Sequence, residues 1–176
     1  RKPLVSVVIP TFNRADILHN TLASLFNQSF PRDQFEVIVV DDGSTDHTYE
    51  MIKKLNPPFR LRYILQDDRG YGPGRARNIG TLYANGEIML YLDSDVICDP
   101  HNIREHVNSH ALYKQRFNHD VLVIGKRVDM HTSERISALL NPRTIKQDFD
   151  QIRRIPARPD LREDFFKWCK DEPSSF

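Results

Sequence analysis

Asp93 and Asp95 stand one small residue apart, at the end of the apolar run Leu90-Tyr91-Leu92. Two carboxylates this close repel each other unless a cation compensates them. Hard divalent ions such as Mg²⁺ and Mn²⁺ accept one or two carboxylates and fill the rest of their shell with phosphate oxygens and water. A D-x-D at the carboxyl end of a strand is therefore a candidate metal–diphosphate site. The competing explanation is an ordinary acidic turn, because aspartate tolerates turn geometry.

Other segments could share in that chemistry. Asp42, with Gly43 permitting a tight turn, can accept a hydrogen bond from a base N–H or a ribose hydroxyl. Its structural alternative is to cap the following helix, a task Asp46 is better placed to perform. In Gly70-Tyr71-Gly72-Pro73-Gly74 the glycines let backbone approach a ligand closely. Arg75 and Arg77 offer forked donors to phosphate oxygens. A flexible loop and a solvated helix face are the plainer readings of these two features.

Several motifs are excluded. No G-x-x-x-x-G-K-[ST] occurs, which rules out a P-loop hydrolase. The glycine spacing after residue 70 is wrong for a dinucleotide fingerprint, and the downstream acidic residue is missing. His106 and His110 lie four apart without an H-E-x-x-H pattern and read as a solvated helix face rather than a metal pair.

The elements that must position these residues alternate in type. Leu4 to Ile9, Phe35 to Val40, Leu61 to Leu65, Glu87 to Leu92 and Val121 to Gly125 read as strands. Helices are expected from about Arg14 to Gln28, Asp46 to Leu55, Arg75 to Tyr83 and His101 to Gln115. In the first, Ile17, Leu18, Thr21, Leu22, Leu25 and Phe26 share a face, with Asn13 as N-cap and Asp16 three residues on. Alternation of this kind predicts an α/β, Rossmann-like, mostly parallel sheet flanked by helices. Ligands of such sheets sit beyond the carboxyl ends of the strands, where every segment singled out above falls.

Composition sets the outer bounds. The chain has 176 residues, with 25 basic against 24 acidic side chains, which argues against broad nucleic-acid binding. Arg143, Lys146, Arg153, Arg154, Arg158 and Arg162 crowd the last third. They read as solvated surface, with contact to phosphate groups or an anionic membrane face as the sharper alternative. Cys98 and Cys169 form no ligand cluster, which fits a reducing, cytoplasmic setting. The chain opens on Arg1 without a signal-peptide pattern and has no run of transmembrane length, as expected of a fragment whose neighbours could carry an anchor or further domain.

Four segments together resemble the donor-binding half of the family-two inverting glycosyltransferases with the A-type fold. They are Val5-Ser6-Val7-Val8-Ile9-Pro10-Thr11-Phe12-Asn13-Arg14, Val39-Val40-Asp41-Asp42-Gly43-Ser44-Thr45-Asp46, Ala76-Arg77-Asn78-Ile79-Gly80 and Gly86-Glu87-Ile88-Met89-Leu90-Tyr91-Leu92-Asp93-Ser94-Asp95. The likeness runs from about Leu4 to Val128. It implies that Pro10, Thr11 and Phe12, with Asn13 beside them, line a nucleotide pocket, and that Asp42 contacts the base or ribose. Gly74, Arg75, Arg77 and Asn78 would lie near the donor, and Asp93 and Ser94 would hold its ribose and sugar side. Asp95, with Asp93, would ligate Mn²⁺ or Mg²⁺ bridging the diphosphate.

The implied reaction is transfer of a sugar from a nucleoside-diphosphate sugar, a uridine one being favoured, to a hydroxyl of a glycan, lipid or small-molecule acceptor. That reaction needs a general base. The family's acidic pair follows the D-x-D at a distance; here the sole later Glu-Asp is Glu163-Asp164, without the glycine-rich stretch that precedes it in relatives. Asp164 is thus the weak candidate base, exposed charge on an amphipathic helix is the plainer reading, and the catalytic residue is unknown. The expected division is a nucleotide-sugar-binding α/β domain over 1–128 and the start of an acceptor-side region or linker over 129–176. The rival functions are a nucleotide-sugar-binding module without transferase activity and a sugar nucleotidyltransferase, which would carry a glycine-rich loop after the first strand.

Overall fold

The structure, a computed structural model, describes residues 2–70 and 72–125 in full and the backbone of 129–130 and 157–158. Four parallel strands form the central sheet: β1 (Val5–Thr11), β2 (Phe35–Asp41), β3 (Arg60–Leu65) and β4 (Ile88–Tyr91), in the spatial order β3-β2-β1-β4. The helices between them are α1 (Ala15–Leu25), α2 (Thr48–Lys54) and α3 (Pro73–Tyr83), with α4 (Asn102–Phe117) after β4. The α/β fold class read from the sequence is the one observed.

The central strands are continuous apolar runs because both faces are covered. Every residue of β1 and β2 is buried. Alternate side chains then go to opposite faces. Val5, Val7, Ile9, Phe35, Val37 and Val39 pack with Leu18, Leu22 and Leu25 of α1, Ile52 of α2 and Ile103 of α4. Ile38 and Val40 meet Ala76 of α3 on the other face. There Gly80 lets α3 lie close, since a β-carbon at that position would overlap Val8.

At the amino ends of the strands a fully buried carboxylate ties four segments together. Glu36 accepts hydrogen bonds from Ser6 Oγ at 2.8 Å, the Asn85 backbone N–H at 2.8 Å and Arg62 Nη2 at 3.0 Å. Burial opposes its ionisation, but Asn85, Ser6 and Arg62 more than offset that and hold its pKa below the usual value. This cluster lies at the opposite end of the sheet from the D-x-D and is structural.

Three expectations about elements are corrected. Val121–Gly125 is not a strand: no ladder receives it, and the segment leaves Leu122 86% exposed while bringing Gly125 against the His106 ring. Ile17 of α1 is exposed rather than on the buried face. Asn13 does not cap α1; Asp46 Oδ2 accepts the Ala15 N–H at 3.0 Å instead. Beyond the sheet, Asp129–Met130 and Ala157–Arg158 pair antiparallel as two-residue strands β5 and β6. Asp164, Tyr71 and the basic side chains of the last third lie outside the described residues, as does most of the expected acceptor-side region. Among the described residues no helix is long and apolar enough to cross a membrane.

Candidate donor-binding site

The parallel register sets Thr11 beside Asp41 and Asp41 beside Leu65, so the residues after β1, β2 and β3 emerge together. Two backbone bonds carry the alignment one step past the strands, Asp42 N–H to Thr11 O at 2.9 Å and Gln66 N–H to Asp41 O at 2.9 Å. The turn after Asp42 needs Gly43, whose φ is +93°. A β-carbon there would also stand 2.6 Å from the Asp68 backbone nitrogen.

The two adjacent aspartates divide the work. Asp41 is fully buried, accepting from Tyr63 Oη at 2.6 Å and the Ser44 N–H at 2.8 Å. Burial and this contact with Asp41 push the Tyr63 phenol pKa up, so it remains a donor. Asp42 faces the other way, with its side chain 9% exposed. Its Oδ1 accepts from Arg75 Nη2 at 2.6 Å and from Gln66 Nε2, and its Oδ2 from the Gly72 N–H at 3.1 Å. Gly72 is the N-cap of α3 and Pro73 its first residue, so the carboxylate also complements the positive end of that helix.

Around Asp42, buried polar atoms are left without partners. Among the described residues these include Thr11 Oγ1, Gln66 Oε1 and Arg75 Nε. Buried polar groups are normally satisfied, and orphans cost free energy unless something else binds them. Gln66 and Arg75 both bond the Asp42 carboxylate and Thr11 meets Asp42 through the backbone, so polar capacity without a partner is concentrated at this strand end.

The D-x-D follows β4. Arg75 and Arg77 are two residues apart on α3, and a helix turns roughly 200° over that interval. The two guanidinium groups therefore serve different carboxylates, Arg75 going to Asp42 and Arg77 Nη2 to Asp93 Oδ1 at 2.5 Å. Arg14, just before α1, places Nη1 3.0 Å from Asp95 Oδ2. The side chains of Asp93 and Asp95 are 56% and 52% exposed, so both remain open to a ligand from solvent.

The other residues singled out from the sequence are placed less uniformly. Pro10 and Thr11 are buried at the carboxyl end of β1, and Phe12 is exposed beyond them. Gly74 and Asn78 are exposed on α3. Asn13 turns toward the loop after β2, and Ser94 is buried with its carbonyl accepting from Thr21 Oγ1 at 2.8 Å. The Asn13 side chain bonds Thr45 and Asp46 rather than Asp42. His106, expected on a solvated face, is buried; burial, with His110 adding to it, lowers its pKa. Gly72, one of the glycines expected to let backbone approach a ligand, gives its N–H to Asp42 instead. Gln66 and Arg14 carry no role in the sequence reading; Gln66 is signalled only by its position following β3, where the strand-end rule places ligands.

In sequence and in fold the chain is similar to known glycosyltransferases. Residues 6–155 match the family described as Glycosyl transferase family 2. The chain is 40% identical over 109 residues to validoxylamine A glucosyltransferase of Streptomyces hygroscopicus subsp. jinggangensis, covering 62% of this chain and 26% of that protein. It is 35% identical over 119 residues to the poly(ribitol-phosphate) beta-N-acetylglucosaminyltransferase TarS of Staphylococcus aureus, covering 68% of this chain and 20% of that one. The crystal structure of S. aureus TarS 1-349 in complex with UDP-GlcNAc superposes with a TM-score of 0.55 at 33% identity, covering 65% of this chain and 32% of that one. The chain thus spans about a quarter or less of the length of these curated relatives. With a parallel sheet that matches theirs and a family match across most of its length, this chain belongs to glycosyl transferase family 2 and has the A-type fold.

Proposed function

We propose that this chain is the donor half of an inverting, metal-dependent glycosyltransferase whose donor is a UDP-sugar. The observation that carries the reading is the set of three carboxylates at the strand ends, Asp42, Asp93 and Asp95, each held by its own arginine. A structural cluster has no need to leave Asp93 and Asp95 half in solvent. A site that must receive an anionic diphosphate together with a cation does.

The chemistry of the donor set fits a divalent ion. Asp93 and Asp95 supply hard oxygens, each already drawing a positive group, and two carboxylates with diphosphate oxygens are an ordinary shell for Mg²⁺ or Mn²⁺. When bound, such an ion stabilises negative charge on the leaving diphosphate. Asp42 accepts the base N–H, Arg75 and Gln66 hold Asp42 in place, and Arg77 orients Asp93 toward the ribose and sugar. UDP and UDP-GlcNAc complexes of TarS support the uridine assignment. The β product in the TarS name is what a single in-line displacement on an α-linked donor gives.

The acceptor, whether glycan, lipid or small molecule, would be deprotonated by a base from the region past residue 125; Asp164 remains the candidate in this chain. Calorimetric titration of UDP with Mn²⁺, repeated with EDTA and in Asp95→Asn, tests the reading. Metal-dependent binding abolished by the substitution is expected. Mn²⁺-dependent affinity left intact in Asp95→Asn would falsify the metal assignment, and absence of UDP binding would overturn the donor assignment.

A further inference from the structure

We infer that Asn13 is a positioning residue, which sets the geometry of the donor pocket by clasping the loop after β1 to the loop after β2. The inference rests on the donor reading above but assigns Asn13 a different task from lining the pocket. Its backbone has φ of +49°, a left-handed conformation that asparagine tolerates better than most side chains. That kink, two residues past the end of β1, brings the side chain to the loop after β2. Oδ1 then accepts the Thr45 N–H at 2.8 Å and the Asp46 N–H at 3.3 Å, while the Asn13 N–H donates to Ser44 Oγ at 2.8 Å.

Asp46 completes the clasp from the other side. Its Oδ2 accepts the Ala15 N–H at 3.0 Å and its Oδ1 the Thr48 N–H at 3.0 Å, so one carboxylate caps the starts of both α1 and α2. Bonds thus run in both directions between residues 13–15 and 44–46. Directly inside them lie Thr11 and Asp42, joined by a single backbone bond. The sheet and that bond align the backbone, and Arg75, Gln66 and Gly72 hold the Asp42 carboxylate from one side. The clasp ties the loop that carries Asp42 to the loop that carries Phe12 from the other. A heterocycle read by Asp42 needs the spacing of those loops held to a fraction of an ångström.

Two substitutions separate positioning from bulk stability. Asn13→Gly keeps the left-handed backbone and removes the acceptor; Asn13→Asp keeps an oxygen for both amides. UDP affinity with Mn²⁺ is measured by calorimetry, thermal unfolding alongside it, and hydrogen exchange at the Gly72 amide, whose bond to Asp42 Oδ2 reports the carboxylate's position without ligand. Expected results are at least a tenfold loss of UDP affinity in Asn13→Gly, faster exchange at Gly72, little change within β1 and β2, and substantial recovery in Asn13→Asp. Wild-type affinity and Gly72 protection in Asn13→Gly overturn the inference, as does an Asn13→Asp variant no better than Asn13→Gly. Faster exchange throughout β1 and β2 also overturns it, in favour of a purely structural role. Should the unsubstituted chain take up no UDP, the donor reading falls by itself, and the Gly72 comparison alone decides whether the clasp holds Asp42.

Discussion

Arg14 Nη1 donates to Asp95 Oδ2 at 3.0 Å across eighty-one residues of sequence, joining the start of α1 to the D-x-D. A guanidinium so placed is a counterion that any divalent cation must displace. Both side chains are about half exposed, so the pair contributes at most about 1 kcal/mol. Arg14→Gln should therefore bind Mn²⁺ about two- to fivefold more tightly in the absence of nucleotide. Counting free Mn²⁺ by electron paramagnetic resonance checks this. Weaker binding in the variant would mean that Arg14 assists the ion instead of competing with it.

Asp42 is surrounded by donors, and that makes its charge hard to replace. In Asp42→Asn the amide nitrogen has to face the Arg75 guanidinium, the Gln66 amide or the Gly72 N–H. Leaving partly buried donors unpaired costs about 1–3 kcal/mol. With that strain turning the side chain and a neutral amide oxygen in place of the carboxylate facing the base N–H, UDP affinity should fall at least about thirtyfold, while Mn²⁺ binding without nucleotide, which the proposed metal site assigns to Asp93 and Asp95, should persist. Equal loss of both would point to a collapsed loop rather than a lost base contact.

The turn after β2 offers a sharper test of backbone geometry. Gly43 combines a φ of +93° with a β-carbon position 2.6 Å from the Asp68 nitrogen. Gly43→Ala meets both penalties and should lose at least about 2 kcal/mol in urea unfolding. A stability within about 0.5 kcal/mol of the parent would show that the loop over Asp68 can move aside freely.

Which parts of this were legible in the sequence follows from physical scale. Val5–Thr11 and Phe35–Asp41 could be read as strands because burial on both faces leaves an unbroken apolar run. The grouping of Asp42, Asp93 and the loop before Arg75 followed from parallel topology, which sends strand ends to one edge. Partners chosen by tertiary contact were not legible. Asp46 capping α1, thirty-one residues away, leaves no local signature to compete with Asn13 as the expected cap. Val121–Gly125 has the composition of a strand, yet strand formation depends on an available ladder, and here the run lies beside His106 of α4 instead.

Glu36 predicts how the fold responds to acid. Its pKa lies below the usual 4.5 because Asn85, Ser6 and Arg62 outweigh the penalty of burial. A carboxylate depressed in the folded state adds stability that is fully present above its unfolded pKa and lost as pH falls through the folded one. Glu36→Gln keeps the shape but discards the charge facing Arg62, at a cost of about 3 kcal/mol near neutrality. The gap between parent and variant should stay constant at neutral pH and narrow as pH drops below about 4.5, where protonation makes the parent resemble the variant. Urea unfolding of both proteins between about pH 3 and pH 7 measures that gap. A gap that instead widens toward acid would mean that Glu36 is held protonated in the native state, with burial the stronger influence after all.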